Sequence, residues 1–430
     1  MNLFENIYDG YAYSYPHKHS YRHMEPRPLR DLWHDEKRDA LFLYVHLPFC
    51  EMRCGFCNLF TIAHPQANMV DDYLAALTRE AHTVKTLIDP ERFAQMAIGG
   101  GTPTFLSVGQ LSTLFDIIRS LGCDPTEIPA AIEMSPATVT KEKLDFLKTQ
   151  GISRASIGIQ SFTEAEVKSM GRPQKNKEVY AALDLMKQAG FPTVNLDLIY
   201  GVQTQTLTSW LFSVQEAIRY EVEEIFLYPL YIRPLTGINR IPQDAHQDSR
   251  FSFYKEAKKL LLSSGYTQVS MRLFRRTTAH KTAVTYSCQE DGMIGIGAGA
   301  RSYTRTTHYS SEYAVARQNI RSIIENYIAK EDYSHIDYGI ELDKEEQQRR
   351  FVIKSILHGT GLDLRRYQTL FDNDARENYP LLDQLVDNKL AHEENGLLQL
   401  TPAGLDYSDA IGPRLYSSPI QKLINEFELT

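Results

Sequence analysis

The sequence predicts an α/β fold: an open, partial (β/α)6 barrel, preceded by an N-terminal arm and followed by a small C-terminal α+β unit resembling a winged helix. Three observations predict it. Apolar, β-rich runs alternate with helical segments from Leu41 onward. Chemically distinctive residues recur at the ends of those runs. After about residue 310 the pattern changes character. Strands alternating with helices imply parallel βαβ units. A doubly wound open sheet gives a similar string of elements, and periodicity alone does not separate the two.

Residues 1–40 are rich in Tyr, His and Arg without a steady period, so they are expected to form an arm. The barrel is expected over 41–310. Its strands are read at 41–47 (LFLYVHL), 93–98 (FAQMAI), 129–134 (PAAIEM), 154–159 (RASIGI), 193–199 (TVNLDLI) and 224–230 (EIFLYPL). Between them, DDYLAALTREAHTVKTL and NKEVYAALDLMKQAG have a spacing near 3.6, and Gly190 stands where a helix C-cap is expected. Residues 311–344, charged from about 330, read as a linker. Over 345–430, EEQQRRFVIKSILH, DLRRYQTLF and YPLLDQLVDNKL read as helices. A hairpin turning at Asn395-Gly396 and a last helix follow.

Composition narrows the function. The chain has 430 residues, 43% hydrophobic and 23% charged, with a formal charge of −8. That is ordinary for a globular protein and runs against a nucleic-acid footprint, which needs a basic excess. No apolar run reaches the ~18–20 residues that span a bilayer, and the first residues lack the pattern of a secretory signal. Five cysteines in such a length do not make a disulfide framework. A reducing, cytoplasmic location is expected.

Three of those five cysteines, Cys50, Cys54 and Cys57, fall within eight residues. Unrelated buried thiols, a structural zinc site and an iron–sulfur cluster compete for them. Clustered Cys at short spacing mark metal or redox sites more often than chance burial does. Structural zinc needs four closed ligands, and only His46 or His64 lies close enough in sequence to supply the fourth. Three thiolates on a four-iron cluster leave one iron without a protein ligand, which is a place for chemistry.

In parallel α/β folds, chemistry sits beyond the carboxyl ends of the strands. The cysteines follow the first strand and GGGTPT (Gly99–Thr104) follows the second. Glu133, Gln160, Asp197 and the pair Tyr228 and Tyr231 mark the next four. Singly, each has a bland reading: a Gly-rich turn, an N-cap or ion-pair carboxylate, a surface arginine at Arg172. Their convergence on one rim favours function.

The CxxxCxxC spacing with Phe56 before the third Cys resembles the cluster motif of the radical S-adenosylmethionine superfamily. The string YVHLPFCEMRCGFC, followed in order by GGGTPT, IEMSP, SIGIQSF, MGR and NLDLIYG, is similar to the branch containing oxygen-independent coproporphyrinogen III oxidase. The likeness runs from about Tyr44 to Tyr303 and returns in the C-terminal unit. It implies a [4Fe–4S] cluster on Cys50, Cys54 and Cys57, with S-adenosylmethionine chelating the open iron. Reductive cleavage to a 5′-deoxyadenosyl radical would then abstract hydrogen from substrate. The resemblance further implies cofactor contacts from Tyr44, Phe56, Gly100, Gly101, Thr102 and Glu133. It places Gln160, Arg172 and Asp197 where the branch binds a second S-adenosylmethionine. GIGAGARSY (Gly295–Tyr303) also matches, but Arg301 stands where the oxidase has an apolar residue.

The favoured expectation is an oxidoreductase that decarboxylates porphyrinogen propionates oxidatively, fed by an electron donor such as flavodoxin or ferredoxin. One departure counts against it: the oxidase has a further cysteine two positions beyond the third ligand, and here that position is Leu59. The alternatives are a haem chaperone of the same branch, and a methyl- or methylene-transferase using the second S-adenosylmethionine. Two basic stretches, His17–Arg30 and Arg272–Lys281, could face an anionic substrate such as a tetrapyrrole, or simply face solvent. Cys123 and Cys288 are expected to be buried structural thiols.

Overall fold

A computed structural model of the chain describes residues 4–12, 14–66, 68–240, 248–278 and 291–429. Cys288 and the end of the second basic stretch (279–281) lie outside the described residues. In the larger part the strands are β1 (Arg22–Pro28), β2 (Leu41–Leu47), β3 (Phe49–Cys50), β4 (Ile62–Ala63), β5 (Phe93–Gly100), β6 (Ala130–Met134), β7 (Arg154–Gln160) and β8 (Thr193–Tyr200). They continue with β9 (Glu224–Pro229), β10 (Tyr266–Gln268), β11 (Leu273–Arg276), β12 (Met293–Ile296), β13 (Arg301–Tyr303), β14 (Thr307–Ser310) and β15 (His335–Glu341). Among the described residues, thirteen of the strands form one sheet in the order β1-β15-β14-β13-β12-β2-β5-β6-β7-β8-β9-β11-β10. From β12 to β9 every neighbouring pair is parallel. The six strands expected from the sequence lie side by side in chain order, as successive βαβ units require.

The helices α1 (Leu29–Trp33), α2 (Met69–Leu87), α3 (Val108–Ser120), α4 (Lys141–Thr149), α5 (Glu164–Ser169), α6 (Asn176–Ala189), α7 (Leu207–Arg219), α8 (Arg250–Ser263) and α9 (Arg317–Ala329) accompany this sheet. Local chemistry fixes their ends. Ser107 and Gln110 close a reciprocal capping box at the start of α3. Gly190 ends α6 with φ of 63°, a left-handed conformation that costs glycine little. Leu43, Val45, Met96, Ile98, Ile132, Ile157, Leu196 and Ile225 join one continuous core with the helices. Side chains alternate along a strand, so Tyr44, Gly99, Glu133, Gly158, Asp197 and Tyr228 share the opposite face.

Two stretches are built more firmly than the sequence suggests. The expected linker, 311–344, contributes α9, whose Ile320 and Ile324 are fully buried, and β15, an internal strand between β1 and β14. Its apolar alternation, Ile336-Tyr338-Ile340, is disguised by the outward residues Asp337 and Glu341. The arm supplies β1 at the sheet edge, paired antiparallel with β15. Phe4, Ala12 and Tyr15 pack into the core of the C-terminal unit. There β16 (Leu362–Asp363), β18 (Leu397–Leu400) and β17 (Ala391–Glu394) form a small sheet beside helices 344–356, 364–371 and 381–387. Its hairpin turns at Asn395 (φ 56°) and Gly396 (φ 84°), the pair expected.

Candidate functional site

The site grows from the loop between β2 and α2. β3 and β4 pair in parallel and clamp the base of this loop. The Cys57 N–H donates to the Cys54 carbonyl at 3.1 Å, tightening the turn between them. Gly55 is required there, because a Cβ would lie 2.6 Å from the Met170 carbonyl oxygen. The Ile238 N–H donates to the Gly55 carbonyl at 2.8 Å from the other side. The loop is therefore held by the MGR segment (170–172) and by the chain beyond β9.

Each thiol has a polar neighbour. The Thr102 hydroxyl lies 3.5 Å from Cys50 Sγ, the Arg172 guanidinium 3.2 Å from Cys54 Sγ, and Thr61 Oγ1 3.8 Å from Cys57 Sγ. Cys50 is buried, while Cys54 and Cys57 are half-buried. Burial pushes the Cys50 thiol up to about 12 and raises Cys54 as well, the nearby Arg172 opposing the rise. Among the described residues no three His, Cys, Asp or Glu side chains gather where one metal ion could bind them together. A structural zinc takes four ligands at one point, whereas the thiolates of a four-iron cluster bind separate irons.

Beside the thiols, β5 ends in Gly99–Gly101. The Gly101 N–H donates to the Leu47 carbonyl and the Thr102 N–H to the Phe49 carbonyl, each at 2.7 Å. A Cβ on Gly101 would sit 2.5 Å from the Phe49 oxygen, and Gly100, with φ of 109°, packs against the His46 ring. The Gly100 N–H points to Glu133, 3.1 Å from Oε2. Surrounding protein raises this carboxyl from 4.5 to about 7; desolvation dominates, and Asp197 adds to it. Asp197 is raised to about 6 by desolvation, against a hydrogen bond from Asn195 at 2.8 Å.

Gln160, Arg172 and Asp197 meet around one glycine. Asp197 pairs in register with Gly158 at a bulge in β7, and Gln160 there has φ of 69°. A Cβ on Gly158 would lie 2.6 Å from Gln160 Nε2. Arg172 donates to the Gly158 carbonyl at 2.9 Å and to Gln174 at 2.9 Å. At 8% exposure Arg172 is no surface charge. Tyr44 stands on β2 with its hydroxyl 3.4 Å from His46 Nδ1. Phe56 and Tyr228 pack on a small cluster of Val167, Met170, Ile199 and Leu230. The expected site residues thus occupy one rim and the face below it. Sequence reading weighed His46 only as a zinc ligand, whereas its ring packs on Gly100, and it missed the Glu51–Ser135 contact of 2.5 Å, which ties the cysteine loop to the end of β6. The IEMSP motif and the alternation of β2 were their only signals.

A partial parallel barrel with three cysteines on the loop after its first strand defines a radical S-adenosylmethionine protein. Residues 44–212 match the model of the Radical SAM superfamily, and residues 342–407 that of the HemN C-terminal domain. The chain thus carries a Radical SAM domain and a HemN C-terminal domain, and its relatives include both HemW and HemN proteins. The heme chaperone HemW of Bacillus subtilis is 28% identical over 373 residues, covering 84% of this chain and 95% of that protein. Oxygen-independent coproporphyrinogen III oxidase of Escherichia coli is 27% identical over 385 residues, covering 85% and 82%. The solved structure of the Escherichia coli oxidase (HemN) has the same fold, with a TM-score of 0.75, 24% identity and 91% of each chain covered. The cofactors of the family are a [4Fe–4S] cluster and S-adenosylmethionine, and the donor set of this rim fits both. No helix among the described residues is long and apolar enough to cross a membrane.

Proposed function

We propose that the chain is a radical S-adenosylmethionine enzyme acting on a tetrapyrrole. It removes a hydrogen atom from a propionate side chain, after which loss of one electron to a one-electron acceptor releases the carboxylate as carbon dioxide and leaves a vinyl group. The observation that carries the reading is the placement of three thiols on one loop beside Gly99–Gly101 and above Glu133 and Asp197. When bound, the cluster and S-adenosylmethionine supply one-electron radical chemistry.

The chain's own residues bind and orient. Cys50, Cys54 and Cys57 each ligate one iron. The glycines would let backbone approach the methionine end of S-adenosylmethionine, Glu133 would accept hydrogen bonds from it, and Tyr44 and Phe56 would pack near it. Gln160, Arg172 and Asp197 present polar groups around Gly158 for a second S-adenosylmethionine. A second reading, haem carriage, is favoured by one observation: the relative at 28% identity is a heme chaperone. Leu59 in place of the oxidase's extra thiol also weighs on that side.

The test is anaerobic reconstitution followed by reduction with S-adenosylmethionine and either coproporphyrinogen III or haem. The enzyme reading expects about four irons per chain, 5′-deoxyadenosine, and a decarboxylated product by mass spectrometry. Stoichiometric haem binding without 5′-deoxyadenosine would leave only carriage standing. Cys54→Ala is expected to abolish the cluster; full iron content in that variant defeats the ligand assignment.

A further inference from the structure

Three segments far apart in sequence bring basic side chains to the rim over the cysteine loop. A short turn in the arm brings His17, Lys18 and His19. The chain after β9 brings Arg233, and β13 begins with Arg301. Lys18 lies over the Tyr313 ring, whose hydroxyl donates to the Asn58 carbonyl beside Cys57. Arg301 donates to the Ser14 hydroxyl of the arm at 3.0 Å, so the arm meets both the cysteine loop and β13. Desolvation, with neighbouring basic groups adding to it, lowers His17, Lys18 and His46 below their ordinary ranges.

Among the described residues no carboxylate is paired with Lys18 or Arg233. What holds them is aromatic: Lys18 Nζ lies 3.5 Å from the centre of the Tyr313 ring, and Arg233 stacks 4.7 Å from that of Tyr231. His19 stacks on Phe427 at 4.7 Å, with planes 2° apart. Such contacts fix a cation without neutralising it. Lys18 and Arg233, which have no paired carboxylate among the described residues, are costly to charge where they are desolvated, and a bound anion relieves that cost.

The same rim exposes apolar side chains. Leu59 on the cysteine loop is 49% exposed, and Ile232 and Leu235, flanking Arg233, are 38% and 46% exposed. Isolated exposed leucines need no explanation. These three border the cationic group, because the segment that carries two of them closes on Gly55 through Gly237 and Ile238. Cations backed by aromatic rings beside open apolar surface suit a flat, largely apolar ligand with carboxylates at its edge.

We infer that Lys18 and Arg233, with His17, His19 and Arg301 around them, form a carboxylate-binding site for the substrate, which docks its ring on Leu59, Ile232 and Leu235. The inference rests on the tetrapyrrole reading above and gives it a place in the molecule. Guanidinium groups take carboxylates in bidentate fashion, and the ammonium adds a point charge. The carboxylate of S-adenosylmethionine offers the same chemistry, and the experiment separates the two sources.

Cluster-loaded full-length protein is titrated anaerobically with coproporphyrin III and with its tetramethyl ester in the same detergent, following intrinsic fluorescence. S-adenosylmethionine is titrated separately by calorimetry. Wild type is expected to prefer the acid to the ester by at least tenfold. Lys18→Gln/Arg233→Gln is expected to lose that preference while its affinities for the ester and for S-adenosylmethionine hold. Lys18→Arg is expected to keep it.

An unchanged preference in the double variant overturns the inference, and so does lost S-adenosylmethionine affinity with porphyrin binding intact. Should the double variant lose iron, Arg233→Gln alone carries the test, and an unchanged preference there is equally fatal. Wild type that prefers the acid yet yields no decarboxylated product refutes the enzymatic reading and leaves this site standing.

Discussion

The Arg172 guanidinium sits 3.2 Å from Cys54 Sγ, although 118 positions separate the two residues. Its other groups are fixed by the Gly158 carbonyl and Gln174, so the contact is imposed by the barrel rather than by a loose side chain. Hydrogen bonds to cluster sulfurs raise reduction potential because they stabilise the added negative charge. Arg172→Gln is therefore expected to keep the iron but reduce at a more negative potential. Each tenfold loss in the one-electron reduction equilibrium appears as ~59 mV. An anaerobic redox titration followed by electron paramagnetic resonance measures it, and an unshifted midpoint excludes the role.

Gly101→Ala tests the glycine cradle. Its new methyl group would meet the Phe49 and Leu47 carbonyl oxygens at 2.5 and 2.9 Å, and backbone cannot step aside as a side chain does. Overpacking of this kind costs about 1–3 kcal/mol. The expected outcome is a lower urea midpoint together with weakened S-adenosylmethionine binding, read by denaturation and calorimetry.

Glu133 and Asp197 make stability depend on pH. Both carboxyls are raised, to about 7 and about 6, mainly by desolvation. The folded chain therefore holds these protons more tightly than the unfolded chain. Their contribution is present at low pH and is lost as pH rises from about 4 through 7. The charges acting on this pair include Arg154, which favours ionisation, and Glu224, which opposes it at Asp197. In cluster-free protein, Glu133→Gln is expected to flatten the fall in urea midpoint between pH 5 and 7.5. The same slope in wild type and variant contradicts the assignment.

Asp409 anchors the C-terminal unit. It receives two bonds from Arg272, at 2.7 and 2.5 Å, and one from Tyr231 at 2.5 Å, with only 1% of its side chain exposed. The Tyr11 ring lies 3.6 Å from the Arg272 guanidinium carbon. Removing one partner of a buried pair costs about 3–5 kcal/mol, since the other charge is stranded. Asp409→Ala is expected to lower stability by that amount and to raise amide exchange first in residues 402–414. A variant as stable as wild type excludes the anchor.

The barrel was legible because its six parallel strands are buried on the helix side and punctuated by amphipathic helices, a pattern that survives in one sequence. The cysteine loop was legible through its spacing together with the ordered motifs GGGTPT, IEMSP, SIGIQSF, MGR and NLDLIYG that follow it. β15 was not, because a strand with Asp337 and Glu341 facing outward has the composition of a linker. Nor was the partnership of Arg172 with Cys54, which depends on how MGR folds under Gly55. Arg233 carries no motif, and only the return of the chain after β9 gives it a role.

The arm's fixation has a consequence for biogenesis. The Tyr15 hydroxyl bonds Glu346 at 2.5 Å, and Phe4 stacks near Tyr407 at 5.5 Å. Translation delivers these early residues hundreds of codons before the ones that enclose them. Until the ribosome has passed residue 407, Phe4 and Tyr15 have not both met their partners, so the arm is seated only once the C-terminal unit has been made. A nascent chain stalled short of that point carries an unanchored arm.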